Sequence, residues 1–185
     1  MSRLRISTRD GALAASKPIL DSIYRKLGVV PNLSRLIGSS PIALDAFAAF
    51  QDGLSRTLDS KTRARIALAV AQVNGSDYCL SAHSYLAINF TKLPPEEIAL
   101  NRMGASKDPK ADAAVRFAAN VVRKRGHVGD ADLFAVRLAG YGDAQIVEIV
   151  ALVTENVFTN YLNKVAETDI DFPIVRTEAL EGRDG

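Results

Sequence analysis

Signals for helix starts and helix ends recur along the chain, and they constrain its fold more than any other feature of the sequence. Apolar residues repeat at helical spacing between breaks made by glycine and proline. No stretch alternates apolar and polar residues with a period of two for long enough to predict a strand. We therefore expect an all-α fold of about eight or nine helices with short connections.

The glycine and proline breaks divide the sequence into consecutive helical segments. The predicted helices cover residues 15–27, 31–37, 41–54, 66–73, 76–89, a segment that begins at Pro94-Pro95, and residues 108–122, 130–139 and 143–164. Two of them contain similar apolar runs, at residues 66–70 and 149–153. This similarity indicates either a duplicated helical hairpin or two separate core helices.

Composition limits the class of protein. The chain has 185 residues, of which 48% are hydrophobic, so it can bury the core of one domain. Its formal net charge of +2 gives little attraction to nucleic acid or to an anionic membrane, and we expect neither as a partner. A single cysteine cannot form an intrachain disulfide, which favours a reducing compartment. Since no apolar run has the length of a signal peptide or a membrane span, we expect a cytoplasmic protein.

The stretch NGSDYCLSAH contains the one cysteine of the chain and one of its two histidines. Ser76 is placed to cap the helix that follows the Asn-Gly break, its hydroxyl reaching the N–H of Cys79. Cys79 then lies in the first turn, where the helix dipole favours a thiolate, and His83 lies one turn further on the same face. Neutral His83 can take the thiol proton, and Tyr78 and Tyr85 can supply hydroxyl groups nearby.

Two other interpretations of this stretch stay open on the residues alone. Cys79 is half of a two-cysteine redox motif that has lost its partner, or it is a small buried hydrophobic residue, as a lone cysteine in a chain rich in alanine and leucine often is. A metal site is not expected, because one cysteine and two histidines are too few for a closed zinc shell. We therefore expect neither a metal nor another cofactor.

The segment ALAVAQVNGSDYCLSAHS resembles the core of the alkylhydroperoxidase D (AhpD)-like proteins of the carboxymuconolactone decarboxylase superfamily. The segments LGVVPNLSRLIGSSPIALDAF and FTNYLNKVAETDIDFP are similar to its peroxidase-related branch, so the resemblance covers about residues 18–173. It implies a single AhpD-like helical domain over residues 1–185, with a core at 18–175 and a polar tail at 176–185. It also implies a homo-oligomer, a trimer or a hexamer.

Peroxidases of this family carry a Cys-x-x-Cys-x-x-x-His motif and a glutamate twelve residues before the first cysteine. The second cysteine attacks the peroxide, the first resolves it, and the glutamate and histidine relay protons. By resemblance, Cys79 is the second cysteine and His83 the histidine. Ser76 replaces the first cysteine and Ala64 replaces the glutamate. Lys164 stands where related sequences often carry a histidine.

The resemblance thus implies an antioxidant enzyme that reduces a hydroperoxide, or another small molecule, through Cys79 with His83 as base. Because Ser76 cannot form a disulfide, an external thiol has to resolve the oxidised cysteine. One alternative is a decarboxylase-like enzyme, in which Arg63 or Arg65 holds substrate carboxylates. The other is an oligomeric binding or scaffold protein that has lost its redox chemistry. Three basic residues, Lys61, Arg63 and Arg65, otherwise form a solvated surface. The alternatives are that they pair with carboxylates across the fold or a subunit contact, or that they favour an anionic ligand.

Overall fold

The computed structural model describes residues 2–177, and this part of the chain forms nine α-helices and no strand. The helices are α1 (Lys17–Leu27), α2 (Asn32–Ile37), α3 (Pro41–Ser55), α4 (Ser60–Val73), α5 (Asp77–Leu86), α6 (Pro95–Arg102), α7 (Pro109–Arg123), α8 (Asp130–Leu138) and α9 (Asp143–Ala166). A short 3₁₀ turn, Ala14–Ser16, precedes α1, and a π turn, Ala87–Thr91, extends α5. The predicted all-α fold is confirmed.

Local capping accounts for most helix boundaries. Gly28 ends α1 in the left-handed conformation at φ 75°, which costs glycine little. Asp59 caps α4 by accepting the N–H of Thr62 at 3.0 Å, and Asp108 caps α7 in the same way. Pro31 differs from the expectation, because it precedes α2 as its N-cap and does not form its first residue.

Helix α4 is the centre of the molecule and packs against α5, α6, α7 and α9. Ile66 and Val70 lie on one side of this helix and Leu68 lies on the opposite side, and all three are completely buried. A helix that is apolar all round belongs in the interior of a protein. The two similar apolar runs, at residues 66–70 and 149–153, both contribute to the main core cluster, one from α4 and one from α9.

A buried ion pair ties α4 to α6. Glu97 accepts the Nε–H of Arg65 at 2.9 Å, and the two side chains are only 4% and 11% exposed. The carboxylate of Glu97 also accepts hydrogen bonds from Asn101, Ser106 and the main-chain N–H of Lys107. Burial opposes its ionisation, but these bonds outweigh burial and lower the pKa of Glu97 to about 2. Of the alternatives for Arg65, the structure shows a carboxylate elsewhere in the fold and not a solvated surface.

Residues 167–177 form an extended segment along α5, which we call the C-terminal strap. The Tyr78 hydroxyl donates to Asp171 Oδ1 at 2.8 Å. One turn further along α5, Ser81 Oγ donates to the carbonyl of Val175 and accepts its N–H. The strap thus covers one side of α5 and leaves a different side to face α9.

The end of the strap reaches the first turn of α5. The Asp77 carboxylate accepts hydrogen bonds from the side chain of Arg176 and from Thr177, and these bonds lower its pKa against the effect of burial. These two residues begin the predicted polar tail at 176–185, whose remainder lies outside the described residues. None of the helices within the described range is long and apolar enough to span a membrane.

Candidate active site

Helix α5 directs the sulfur of Cys79 into the contact between α5 and α9. Cys79 is 2% exposed. Its Sγ accepts a hydrogen bond from Asn163 Nδ2 at 3.2 Å and lies 3.8 Å from Thr159 Oγ1. An amide N–H directed at a sulfur stabilises negative charge on it, so this environment supports a thiolate when one forms.

Ser76 is the N-cap residue of α5, as expected, but it does not make the expected hydrogen bond. Its backbone is extended, at φ −101° and ψ 92°, as an N-cap requires. The hydroxyl does not reach the N–H of Cys79, and in the described part of the chain Oγ has no hydrogen-bond partner. A buried hydroxyl group without a partner is unfavourable, and Ser76 is only 2% exposed.

His83 is half-buried one turn beyond Cys79 and forms a side-chain hydrogen bond with Asn156. Burial lowers the pKa of His83 to about 4, and the bond to Asn156 opposes this effect. The imidazole is therefore neutral at pH 7. Asn156 Nδ2 already donates to the carbonyl of Leu152 at 2.8 Å, so its Oδ1 is assigned as the acceptor of an imidazole N–H. This assignment leaves the second ring nitrogen as a proton acceptor.

A row of polar residues on α9 faces this site, and the sequence analysis missed it. The row consists of four buried residues on one face of the helix: Asn156, Thr159, Asn160 and Asn163. Their spacing of three, one and three residues is that of a single helix face. The signal was present in the sequence, since four uncharged polar residues recur at this spacing beside apolar residues that fill the core.

Ala64 and Lys164 occupy the other positions singled out by the resemblance. Ala64 is partly buried and packs against the core cluster that contains Cys79. A methyl group therefore stands where the family pattern has a carboxylate. Lys164 Nζ donates to the main-chain carbonyl of Asn74 at 3.0 Å, which ties α9 to the turn between α4 and α5.

The two tyrosines predicted to support the thiol are occupied elsewhere. Tyr78 is 4% exposed, and its hydroxyl accepts the N–H of Leu33 at 3.0 Å while donating to Asp171. Burial is the main cause that raises its pKa, so it stays protonated. Tyr85 is 39% exposed and packs its ring 5.7 Å from that of Phe172. Both side chains hold the strap against α5.

The basic residues at the start of α4 do not converge on Cys79. Arg65 is held by the buried carboxylate of α6 described above. Arg63 donates to a main-chain carbonyl and interacts electrostatically with Glu155, while Lys61 is exposed. In residues 2–177, no three side chains of His, Cys, Asp or Glu come together as metal ligands.

An open cleft of about 580 Å³ lies where the first turn of α5, the end of α9 and the C-terminal strap meet, and we call it the strap cleft. Ser76 and Asn163 both line it. Because Asn163 also contacts the sulfur of Cys79, this side chain joins the cleft to the thiol. The candidate site therefore has a buried sulfur, a neutral imidazole and an adjoining cleft.

Comparison with known proteins finds one family model and several solved structures that are similar to this chain. Residues 41–120 match the model of the carboxymuconolactone decarboxylase family. The matched part runs from α3 into α7 and includes both Cys79 and His83. No curated protein sequence matches the chain significantly.

Solved structures match nearly the whole chain. An alkylhydroperoxidase AhpD core, an uncharacterized peroxidase-related protein from Ralstonia eutropha JMP134, is 23% identical with TM-score 0.81, covering 92% of each chain. A peroxidase-related protein from Silicibacter sp. TM1040 is 24% identical with TM-score 0.79, covering 91% of each chain. The debrominase Bmp8 is 19% identical with TM-score 0.75, over 92% of this chain and 91% of its own. At these identities the likenesses establish the fold. Residues 41–120 are thus similar to the carboxymuconolactone decarboxylase family, and the chain has the AhpD-like fold.

Proposed function

We propose that the protein reduces hydroperoxides through Cys79, with His83 as the base. The observation that carries this proposal is the hydrogen bond from Asn163 to a buried sulfur on the same helix face as a neutral imidazole. A thiolate attacks one oxygen of the peroxide bond, and the other oxygen leaves as an alcohol after it takes up a proton. Cys79 is thereby oxidised to a sulfenic acid as the peroxide is reduced.

His83 handles the proton in this step. Its neutral ring accepts the thiol proton, and its lowered pKa means that it holds that proton weakly. A weakly held proton is passed on readily to the leaving alkoxide. Asn156 keeps one ring nitrogen protonated and so orients the other, in place of the carboxylate that is missing at Ala64.

The second half of the cycle requires thiols from outside the chain, because Ser76 cannot resolve the sulfenic acid. One external thiol condenses with the oxidised Cys79, which forms a mixed disulfide and releases water. A second thiol attacks this disulfide, regenerates the Cys79 thiol and leaves as the oxidised disulfide. The cycle consumes one peroxide and two thiols and corresponds to an antioxidant role.

The proposal is tested by the oxidation of Cys79 at limiting peroxide. We expect one equivalent of peroxide to add one oxygen to the native protein, at Cys79 by peptide mass mapping. With excess thiol the protein should turn over peroxide, whereas Cys79→Ala should be inactive and His83→Gln should be at least about tenfold slower. If Cys79 is oxidised only after denaturation, the binding or scaffold interpretation replaces the enzyme.

Restoring the family motif gives a second test. Ser76→Cys places two sulfurs one helical turn apart, and it replaces an oxygen that has no partner among the described residues. Ala64→Glu supplies a carboxylate within the cluster around Cys79. We expect the double variant, given a dithiol, to turn over peroxide at least about tenfold faster than the parent, or about 1.4 kcal/mol in the barrier. Each single variant should gain less. Equal rates for the double variant and Cys79→Ala would contradict the peroxidase proposal.

The likeness to a debrominase favours a second candidate reaction. One matching structure is that of a cysteine-to-alanine variant of Bmp8 in complex with 2,3,4-tribromopyrrole, at 19% identity and TM-score 0.76. Reductive debromination here would begin with the Cys79 thiolate attacking bromine, so that an S–Br bond forms as the C–Br bond breaks and the ring carbon takes up a proton. An external thiol would then displace bromide from the sulfur to give a mixed disulfide, and a second thiol would restore Cys79. Release of bromide from tribromopyrrole in the presence of thiol, without peroxide consumption, would favour this candidate. The match to the carboxymuconolactone decarboxylase family supports the decarboxylase-like alternative in general terms, but Arg63 and Arg65 are engaged away from Cys79 and so are poorly placed to hold substrate carboxylates beside it.

We further propose that the protein acts as a cytoplasmic homo-oligomer, a trimer or a hexamer. Exposed apolar side chains form a row on the outer face of α9: Val147, Val150, Phe158, Tyr161 and Val165. Their spacing of three, eight, three and four residues follows one face of the helix. Thr154 interrupts this row, but five exposed apolar side chains on one helix face support packing against another copy of the chain.

A further inference from the structure

We infer that the strap cleft binds the external thiol that resolves oxidised Cys79, and that this thiol is a small zwitterion of the amino-acid or dipeptide type. The inference rests on the proposed one-cysteine cycle for the role of the thiol. The binding site itself rests on the geometry of the cleft. Its volume of about 580 Å³ is within the range of small-molecule sites and suits a ligand of this size.

Three buried side chains that line the cleft have unused hydrogen-bonding groups. Ser76, Asn163 and Thr168 are 2%, 4% and 7% exposed. Among the described residues, Ser76 Oγ, Asn163 Oδ1 and Thr168 Oγ1 have no hydrogen-bond partner. These oxygens are closed to solvent in this conformer, but a serine or threonine hydroxyl turns about one torsion without moving the backbone. Native proteins rarely leave such groups unpaired, so three around one cleft indicate a polar ligand.

The charges at the rim of the cleft have both signs. Lys164 and Arg176 lie beside Asp77, Glu167 and Asp169. Arg176 donates to Asp77 at 2.8 Å, and this pair is exposed enough to exchange partners with a ligand. A strongly anionic or strongly cationic ligand would meet like charges here. A zwitterion, with one ammonium and one carboxylate group, finds a partner for each.

Asn163 connects the cleft to the chemistry. Its Nδ2 donates a hydrogen bond to the sulfur of Cys79, while its Oδ1 is one of the three cleft oxygens that have no partner among the described residues. Rotation of this side chain opens the wall between the cleft and Sγ, and a bound thiol then reaches the sulfur. The thiol of the ligand forms an S–S bond to Cys79 as the sulfenic oxygen leaves as water, and the thiol proton goes to that oxygen.

The inference is tested by binding to the reduced protein without peroxide. The probe is S-methyl-cysteinylglycine, which has both charges and cannot form a disulfide. We expect saturable shifts of backbone amide resonances at residues 75–78 and 163–168 in a protein NMR titration. The anion 3-(methylthio)propionate and the cation 2-(methylthio)ethylamine should bind at least about fivefold more weakly.

Thr168→Val is the decisive variant, with Thr154→Val as its matched control. Thr154 lies exposed on α9, outside the cleft, and its hydroxyl donates to a main-chain carbonyl. Thr168→Val should weaken probe binding at least about fivefold without lowering Tm, because the buried hydroxyl it removes makes no hydrogen bond to any of residues 2–177. Thr154→Val should bind the probe like the parent.

Absence of saturable binding, or equal affinity in Thr168→Val and the parent, would overturn the binding site. Equally tight binding of the single-charge probes would overturn the zwitterion as the ligand class. Binding of the probe to a protein whose Cys79 does not react with peroxide would leave the ligand site standing, but it would overturn the thiol role and the proposed function. Formation of a Cys79 mixed disulfide with cysteinylglycine after one equivalent of peroxide would support both.

Discussion

Cys79 and His83 lie on the same face of α5, but α9 gives each of them its chemical environment. Asn163 donates an N–H to the sulfur, and Asn156 forms the hydrogen bond with the imidazole. A neutral amide can serve both groups because one side of it donates and the other accepts. Among residues 2–177, the side chains that hydrogen-bond to the thiol and the imidazole are thus uncharged, where the resemblance to peroxidases implies a glutamate.

The lowered pKa of His83 predicts that the folded protein loses stability in mild acid. In the unfolded chain the imidazole titrates near its ordinary value of 6.5, while in the folded chain burial lowers its pKa to about 4. Between these values the unfolded chain binds a proton that the folded chain does not. The contribution of His83 to the free energy of unfolding is therefore complete above pH 6.5, and it is lost as the pH falls toward 4. Urea unfolding at about pH 7.5 and about pH 5 should differ by on the order of 2 kcal/mol from this group.

The variant His83→Gln is the control for this pH effect. Glutamine keeps a donor for Asn156 but does not titrate, so the variant should lose most of the pH dependence that the parent shows in this window. Glu155 contributes with the opposite sign, because burial raises its pKa, and its contribution cancels when parent and variant are compared. An unchanged difference between the two pH values would mean that His83 titrates normally in the folded protein.

The sequence predicted the helices better than it predicted their contacts, because a helix boundary depends on a few neighbouring residues. Gly28, Asp59 and Asp108 act through bonds within four residues, so their pattern is readable in the chain. Cys79 and His83 were likewise predictable as a pair, since helical spacing alone places them on one face. The hydroxyl of Ser76 was not, because the packing of α9 and the strap against α5 decides where it points.

The carboxylate of Glu97 is a buried charged link between α6 and α4, and the stability of the protein should be sensitive to its removal. Glu97→Gln should lower the free energy of unfolding by about 3 kcal/mol, because it leaves the buried guanidinium of Arg65 without its counter-charge. The matched control is Glu96→Gln, since Glu96 is 59% exposed and lies 3.5 Å from Lys107 Nζ. That change should cost less than about 0.5 kcal/mol in the same urea titration. A similar loss of unfolding free energy in both variants would show that burying the Arg65–Glu97 pair does not add to the stability of the protein.

Across the whole molecule, long-range contacts join the two ends of the described chain to the site. Ser2 and Arg3 bind the main-chain carbonyl of Ala166 at the end of α9, and the strap returns along α5. Sequence patterns carry no signal for such contacts, because the partners lie more than 90 residues apart. Capping and periodicity predict single helices but not how the helices pack. The resemblance to AhpD-like proteins predicted that they pack into one AhpD-like domain.

The apolar outer face of α9 leads to a prediction about assembly. Light scattering at micromolar concentration should give a mass that is a multiple of the 19.9 kDa chain. The double variant Tyr161→Glu with Val165→Glu should shift it toward a single chain, because it places two charges in the apolar row. Ile42→Glu is the control, since Ile42 is 84% exposed on α3 and outside the row. A parent protein that scatters as a monomer would contradict the proposed homo-oligomer.

Helix α9 presents its asparagines to the thiol and its apolar row to the outside, and this has a consequence for how activity depends on concentration. The helix has 24 residues, so it is a rod of about 36 Å whose two faces move together. If contacts between subunits hold the outer face of α9 in place, they also hold Asn156 and Asn163 in place on the opposite face. The fraction of chains in which these asparagines are correctly placed then depends on protein concentration through the assembly equilibrium. Turnover per chain should then fall when the protein is diluted below the dissociation constant of the assembly, and it should recover when the protein is concentrated again.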